Sequence, residues 1–163
     1  MTRLTILLPS LLQMVAASCA AQVPDNLKPP DTETVVLKAL GKGKQIYACK
    51  AEWVLDRPEA ALFDESGAQI GKHYKGPTWE SADGSKVTGQ VQQRANAPAA
   101  GAVPWLLLKA ASHEGTGTFA RVSYIQRTDT EGGAAPKEGC DPSHAGAGVS
   151  VDYQATYVFY APK

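Results

Sequence analysis

The run Tyr153-Gln154-Ala155-Thr156-Tyr157-Val158-Phe159-Tyr160 places Tyr153, Ala155, Tyr157 and Phe159 on one side of an extended chain, with Thr156 and Val158 on the other. An apolar face repeating every second residue marks a strand buried on one side, because successive side chains in a sheet point in opposite directions. Working back toward the amino terminus, the same texture recurs. Phe119 to Arg127 and Trp105 to Ala111 read as strands, and Ala95 to Val103 as an Ala/Pro/Gly/Asn linker. Two hairpins precede them: Trp79-Glu80 and Lys86 to Val91 around Ala82-Asp83-Gly84-Ser85, and Leu62-Phe63 and Ala68 to Ile70 around Asp64-Glu65-Ser66-Gly67. Aligned on Gly67 and Gly84 the two resemble each other, but two copies fall short of a repeat architecture. Thr34 to Leu40 is β-branched and apolar, and Gly41-Lys42-Gly43-Lys44 reads as a turn into Gln45 to Val54. In that segment Ile46, Ala48 and Lys50 share one face and Tyr47 and Cys49 the other.

No amphipathic helix interrupts this series. With 15 glycines and 11 prolines against 3 phenylalanines, the chain favours short segments joined by turns. The expected fold is all-β, a single antiparallel sandwich or barrel over residues 34–163 with long Gly/Pro-rich loops. Residues 22–33, holding Pro24, Pro29 and Pro30, form an extended arm ahead of it. Residues 130–148 form a long Gly-rich loop carrying Cys140 and His144. A loop of that length in a compact domain is functional or pinned by a crosslink.

Of the 163 residues, 44% are hydrophobic and 20% charged, with 16 basic and 16 acidic side chains. That balance supplies no cationic footprint for a phosphate backbone, so nucleic acid is not an expected partner. Residues 1–21 read as a signal peptide: Arg3, an apolar run from Leu4 to Val15, and small residues from Ala16 to Ala21. Roughly 12 residues at 1.5 Å rise cover about 18 Å, short of the roughly 30 Å of a bilayer core, so no transmembrane segment is expected. Cleavage after Ala20 or Ala21 releases a free chain. Alternatively Ala16-Ala17-Ser18-Cys19 is a loose lipobox, in which Cys19 carries lipid. The expected location is the periplasm, the cell surface or the medium.

Beyond the leader, only Cys49 and Cys140 remain. An even pair in an exported chain reads as a disulfide. Closing so long a loop removes denatured-state entropy worth about 4 to 5 kcal/mol in the chain-entropy treatment. The competing reading makes them two thiolates of a metal site, though neither lies in a C-x-x-C pair.

Several stretches together resemble a family. Gln45-Ile46-Tyr47-Ala48-Cys49, Gly71 to Glu80, Asp83 to Val87, Val103 to Leu108, Gly139-Cys140-Asp141 with His144-Ala145-Gly146, and Tyr153 to Tyr160 are similar to DUF3455, a secreted domain-of-unknown-function family of bacteria and fungi. The resemblance covers nearly the whole exported chain and implies no activity. Some fungal members carry the label malate dehydrogenase, which the residues do not support. Gly115-Thr116-Gly117-Thr118-Phe119-Ala120 matches G-x-G-x-x-A in letters. A dinucleotide site, however, needs a helix directly after the glycines, and Arg121 to Arg127 is strand-like. No nicotinamide cofactor is expected.

Candidate chemistry rests on His73, His113 and His144, each beside glycines at a strand end or in a loop. If folding brings them together, they form a divalent-metal site, with Asp141, Glu80 or Glu114 as an oxygen ligand and water in the open position. If not, each orders its own turn. Trp53, Trp79, Trp105, Tyr74 and the tyrosines of the last strand either line a ligand groove or fill the core. Tyr74 and Trp79, flanking Gly76-Pro77, are the ones expected to be exposed. Two functions follow. One is a noncatalytic module binding a small molecule or envelope component through His73, Tyr74, Trp79, His113 and His144. The other is a metal-dependent or histidine-based hydrolase built on the three histidines. The sequence is silent on oligomeric state.

Overall fold

The computed structural model describes residues 21–163, so Cys19 and all but the last residue of the expected leader lie outside the described residues. Eight strands follow one another: β1 (Glu33–Cys49), β2 (Trp53–Phe63), β3 (Gln69–Tyr74), β4 (Thr78–Ser81), β5 (Lys86–Ala95), β6 (Trp105–Glu114), β7 (Tyr124–Gly132) and β8 (Gly148–Pro162). Each pairs antiparallel with the next, and β8 closes on β1, giving an up-and-down barrel. Of the two expected all-β architectures, the chain adopts the barrel.

Inward and outward positions alternate as the sequence pattern requires. On β8, Tyr153, Ala155, Tyr157, Phe159 and Ala161 are buried, whereas Gln154, Thr156, Val158 and Tyr160 are only partly covered. On β1, Ala39, Gln45, Tyr47 and Cys49 are buried while Lys38, Lys42 and Lys44 face out. Apolar inside and charged outside is the reverse of a lipid-facing barrel. Among the described residues, no helix is long and apolar enough to cross a membrane.

Gly41-Lys42-Gly43-Lys44 is no turn. β1 runs straight through it, pairing with β2 and β8 on either side, and the chain reverses only at residues 50–52. The glycines serve close packing: a Cβ on Gly41 would lie 2.6 Å from the Tyr157 ring. A second correction concerns Phe119 to Arg127. Strand β7 begins only at Tyr124, and residues 115–123 fold under the barrel, so Phe119 and Val122 close it as a plug. Gly115 and Gly117 sit in that turn at positive φ, not ahead of a helix. The loop before β8 spans residues 133–147, shorter than expected because β7 continues to Gly132 past a register shift.

The four residues Trp105 to Leu108 are all buried, since β6 is covered on both faces. Leu106 and Leu108 enter the barrel core. Trp105 and Leu107 pack outside it against Leu27 in a short 3-10 turn, Asp25–Leu27, of the amino-terminal segment. Gln126 Nε2 donates to the Leu27 carbonyl at 2.6 Å, fixing that segment to the wall. Cys49 is bonded to Cys140 across 91 residues, with Cα atoms 5.4 Å apart. The crosslink ties the end of β1 to the loop before β8.

Candidate functional site

Antiparallel order gives the barrel two unlike ends. At one, the turns at 64–68, 82–85 and 115–123 meet, and Phe119 stacks on Phe159 at 4.7 Å. At the other, the turns at 50–52 and 75–77 and the loops 96–104 and 133–147 surround an opening. A cavity of about 460 Å³ lies behind it.

The wall of the cavity is mostly apolar and aromatic. Trp79 and Tyr157 lie inside with Val91, Leu106 and Leu108, and Pro58, Pro77 and Pro104 ring the mouth. The mouth exists because β3 pairs with β2 only over Ala60–Phe63. Beyond that point β2 carries a bulge opposite Ile46 and Tyr47, and Pro58, which has no N–H to offer a neighbour. Contacts continue inward from there. His73 stacks on Trp79 at 4.4 Å, Trp79 meets Tyr157 edge-on at 5.7 Å, and Trp79 touches Phe159 at 6.2 Å.

His73 Nδ1 lies 2.8 Å from the Thr78 carbonyl. A carbonyl only accepts, so Nδ1 carries the proton and Nε2 the lone pair. Burial, reinforced by the nearby Arg127 charge, lowers the imidazole to a pKa of about 3 against the opposing pull of the Thr78 bond. His73 is therefore a neutral wall residue at ordinary pH. Burial also raises the Tyr157 and Tyr47 hydroxyls, which the Arg127 charge partly offsets. Arg127 Nε and Nη2 donate to the Pro104 carbonyl at 3.1 and 2.8 Å, holding the guanidinium at the cavity wall.

Gln45 is the most informative residue. It is 1% exposed, lines the cavity, and neither its Nε2 nor its Oε1 has a hydrogen-bond partner. Trp79 Nε1 is likewise buried without an acceptor. Native structures rarely leave such groups unmet, and each costs about 1 to 3 kcal/mol.

The three histidines stand apart. His73 is in the barrel. His113 Nε2 donates to the Val122 carbonyl at 2.6 Å, at the plugged end. His144 is exposed in the disulfide loop, its Nδ1 2.9 Å from Asp141 Oδ1. Among the described residues, no three His, Cys, Asp or Glu side chains are grouped to hold a metal ion. The shared metal or hydrolytic centre expected of His73, His113 and His144 is not assembled, because the register distributes them over different ends of the barrel.

Of the aromatic expectations, Trp79 is 1% exposed instead of displayed. Its ring turns inward at the very Gly76-Pro77 turn thought to keep it in solvent. Tyr74 is on the outer side, donating to Glu80 Oε2 at 2.8 Å. Trp53 Nε1 donates to the Glu138 carbonyl in the disulfide loop. Gln45, Arg127 and Arg94 escaped the sequence reading. A signal for Gln45 existed: it shares the inward face with Tyr47 and Cys49, where a glutamine is out of character.

The chain matches the family described as "Protein of unknown function (DUF3455)" over residues 29–161. No curated protein and no solved structure matches it.

Proposed function

We propose that this chain, which belongs to the DUF3455 family of proteins of unknown function, is an exported binding protein that holds one small, largely apolar molecule in the open end of its barrel. The observation carrying this reading is Gln45, fully buried with both amide atoms unpartnered in the wall of a mostly apolar and aromatic cavity. A fold that needed only stability gains by placing leucine there; a polar group left unmet is retained where a ligand completes it. Eight strands also give an interior of the size that holds one small ligand. A concave apolar site with a few fixed polar groups is the usual form of such sites.

Export rests on the apolar leader and on the Cys49–Cys140 bond, which persists in oxidising compartments. Attachment to an envelope turns on Cys19, and mass spectrometry of the amino terminus of protein isolated from its native host distinguishes a lipidated Cys19 from a chain beginning near Gln22.

Titration with the neutral fluorescent dye N-phenyl-1-naphthylamine tests the cavity. One-to-one saturable binding is expected for the wild type. It is lost in Val91→Trp, which fills the cavity from its wall, while the melting midpoint shifts little. Gln45→Leu is expected to melt higher, by about 1 to 3 kcal/mol of added stability. Wild-type protein that shows no saturable binding, or binding that survives Val91→Trp, refutes the reading.

A further inference from the structure

The unmet groups around the cavity are donors more than acceptors. Trp79 Nε1 is a donor only, and the amide of Gln45 adds two more N–H donors against a single acceptor oxygen. The charges agree. Four cations, Arg57, Lys75, Arg94 and Arg127, line the cavity with one carboxylate, Asp56. That carboxylate is already engaged, by Arg57 Nη1 at 2.5 Å and Lys75 Nζ at 2.8 Å, and Arg57 Nε is taken by Glu59. Among the described residues, Arg94 and Arg127 have no carboxylate within ion-pair distance. Arg127 is held at the wall by a neutral carbonyl, through Nε and Nη2, beside the Tyr157 hydroxyl.

Resting on the cavity reading above, we propose that the ligand is a small aromatic carboxylate, its ring against Trp79 and Tyr157 and its carboxylate against Arg127, with Arg94 at the mouth. A guanidinium matches a carboxylate in charge and in the spacing of its donors. In a wall this apolar, an unneutralised guanidinium is unfavourable, and an anionic ligand relieves that cost as it binds. The chain as a whole carries 16 basic and 16 acidic residues, so the cationic bias belongs to the cavity and not to the protein.

The test compares three ligands of one shape: 2-naphthoate, 2-naphthamide and 2-naphthylmethylammonium, followed by calorimetry on the wild type, Arg127→Met, Arg127→Lys and Arg94→Met. In the wild type, naphthoate is expected to bind about tenfold or more tightly than the amide, the size of one charge-assisted contact, and the ammonium most weakly. Added salt weakens naphthoate alone. Arg127→Met removes the preference, because naphthoate loses far more affinity than the amide; Arg127→Lys restores part of it, and Arg94→Met has the smaller effect. Because Arg127 also secures Pro104, each variant is first melted, and the salt dependence of the wild type stands as a reading free of mutation. Amide and acid binding equally, or a preference that outlives Arg127→Met, overturns the charge assignment and leaves the cavity reading standing. Failure of all three ligands and of the neutral dye overturns both.

Discussion

The two ends of the barrel solve the same problem, a ring of strands with a hole in it, in opposite ways. At the plugged end, Asp83 Oδ2 accepts from the Thr118 N–H and hydroxyl at 2.8 and 2.7 Å. Its Oδ1 accepts from the Ser85 N–H and hydroxyl, and the Ser85 hydroxyl oxygen in turn accepts from the Phe119 N–H. Among the described residues, no buried side-chain polar atom of that cap lacks a partner, and Phe119 and Val122 fill the space beneath. At the open end the frame is covalent, the Cys49–Cys140 bond, and the interior keeps unanswered donors. Satisfied hydrogen bonds close one end for stability; a crosslink lets the other remain hollow and polar in places, which is where a binding site can be held.

The largest effects should come from removing each end's fastener. Cys49→Ser or Cys140→Ser is expected to cost about 4 to 5 kcal/mol, read as a lower denaturant midpoint, because the unfolded chain regains its loop entropy. An unchanged midpoint would remove the crosslink from the account of the open end. Phe119→Ala should cost about 3 to 5 kcal/mol through the void it leaves, yet leave dye affinity at the far end nearly intact. Loss of dye binding in a folded Phe119→Ala protein would show the ends to be coupled.

Acid should separate the two ends. His73 is neutral when folded and protonates near 6.5 when unfolded, so its contribution is fully present above pH 6.5. It is lost by about 1.4 kcal/mol per pH unit as the pH falls toward its folded value of about 3. Melting curves from pH 7.5 to 4.5 should therefore decline in the wild type and flatten in His73→Phe. Hydrogen bonds from Ser85 and Thr118 hold Asp83 well below the usual carboxylate range, so its contribution is lost only as the pH falls below about 4. A wild type whose stability is constant down to pH 4.5 would contradict the burial of a neutral imidazole.

The smallest effect is at the open end's tight turn. Ala51 sits at φ 90, a left-handed conformation that costs an alanine about 1 kcal/mol. Ala51→Gly should raise the melting midpoint slightly, and a lower midpoint would mean that the turn is held by something other than backbone geometry.

Much of the fold was legible because alternation survives in the sequence wherever one face of a strand is buried. The face carrying Tyr153, Ala155, Tyr157 and Phe159, and the pairing of Cys49 with Cys140, follow from residue type alone. Three local signals misled, each for a tertiary reason. Gly41 and Gly43 read as a turn, yet they are strand glycines that make room inside the ring. Phe119 and Val122 carried strand-like composition because a plug is as apolar as a strand. Gly76-Pro77 suggested an exposed Trp79, but the turn lies at the lip of a cavity and directs the ring inward. The candidate site was less legible still. His73 and Trp79 were singled out as ligand-binding candidates, though the one was also expected to join a shared metal site and the other to be exposed, and Arg127 carried no pattern at all, since a cation on a strand ordinarily faces water.

The sequence by itself determined that the chain is a β structure with one crosslink, because period-two patterning and cysteine count are properties of neighbouring positions and of composition. Only the tertiary structure decided that the sheet closes into a ring, that one end is filled and the other hollow, and that Gln45, Trp79 and Arg127 face the same space. Those residues come from β1, β4 and β7, and their meeting depends on the register and curvature of every strand between them, which no local pattern encodes.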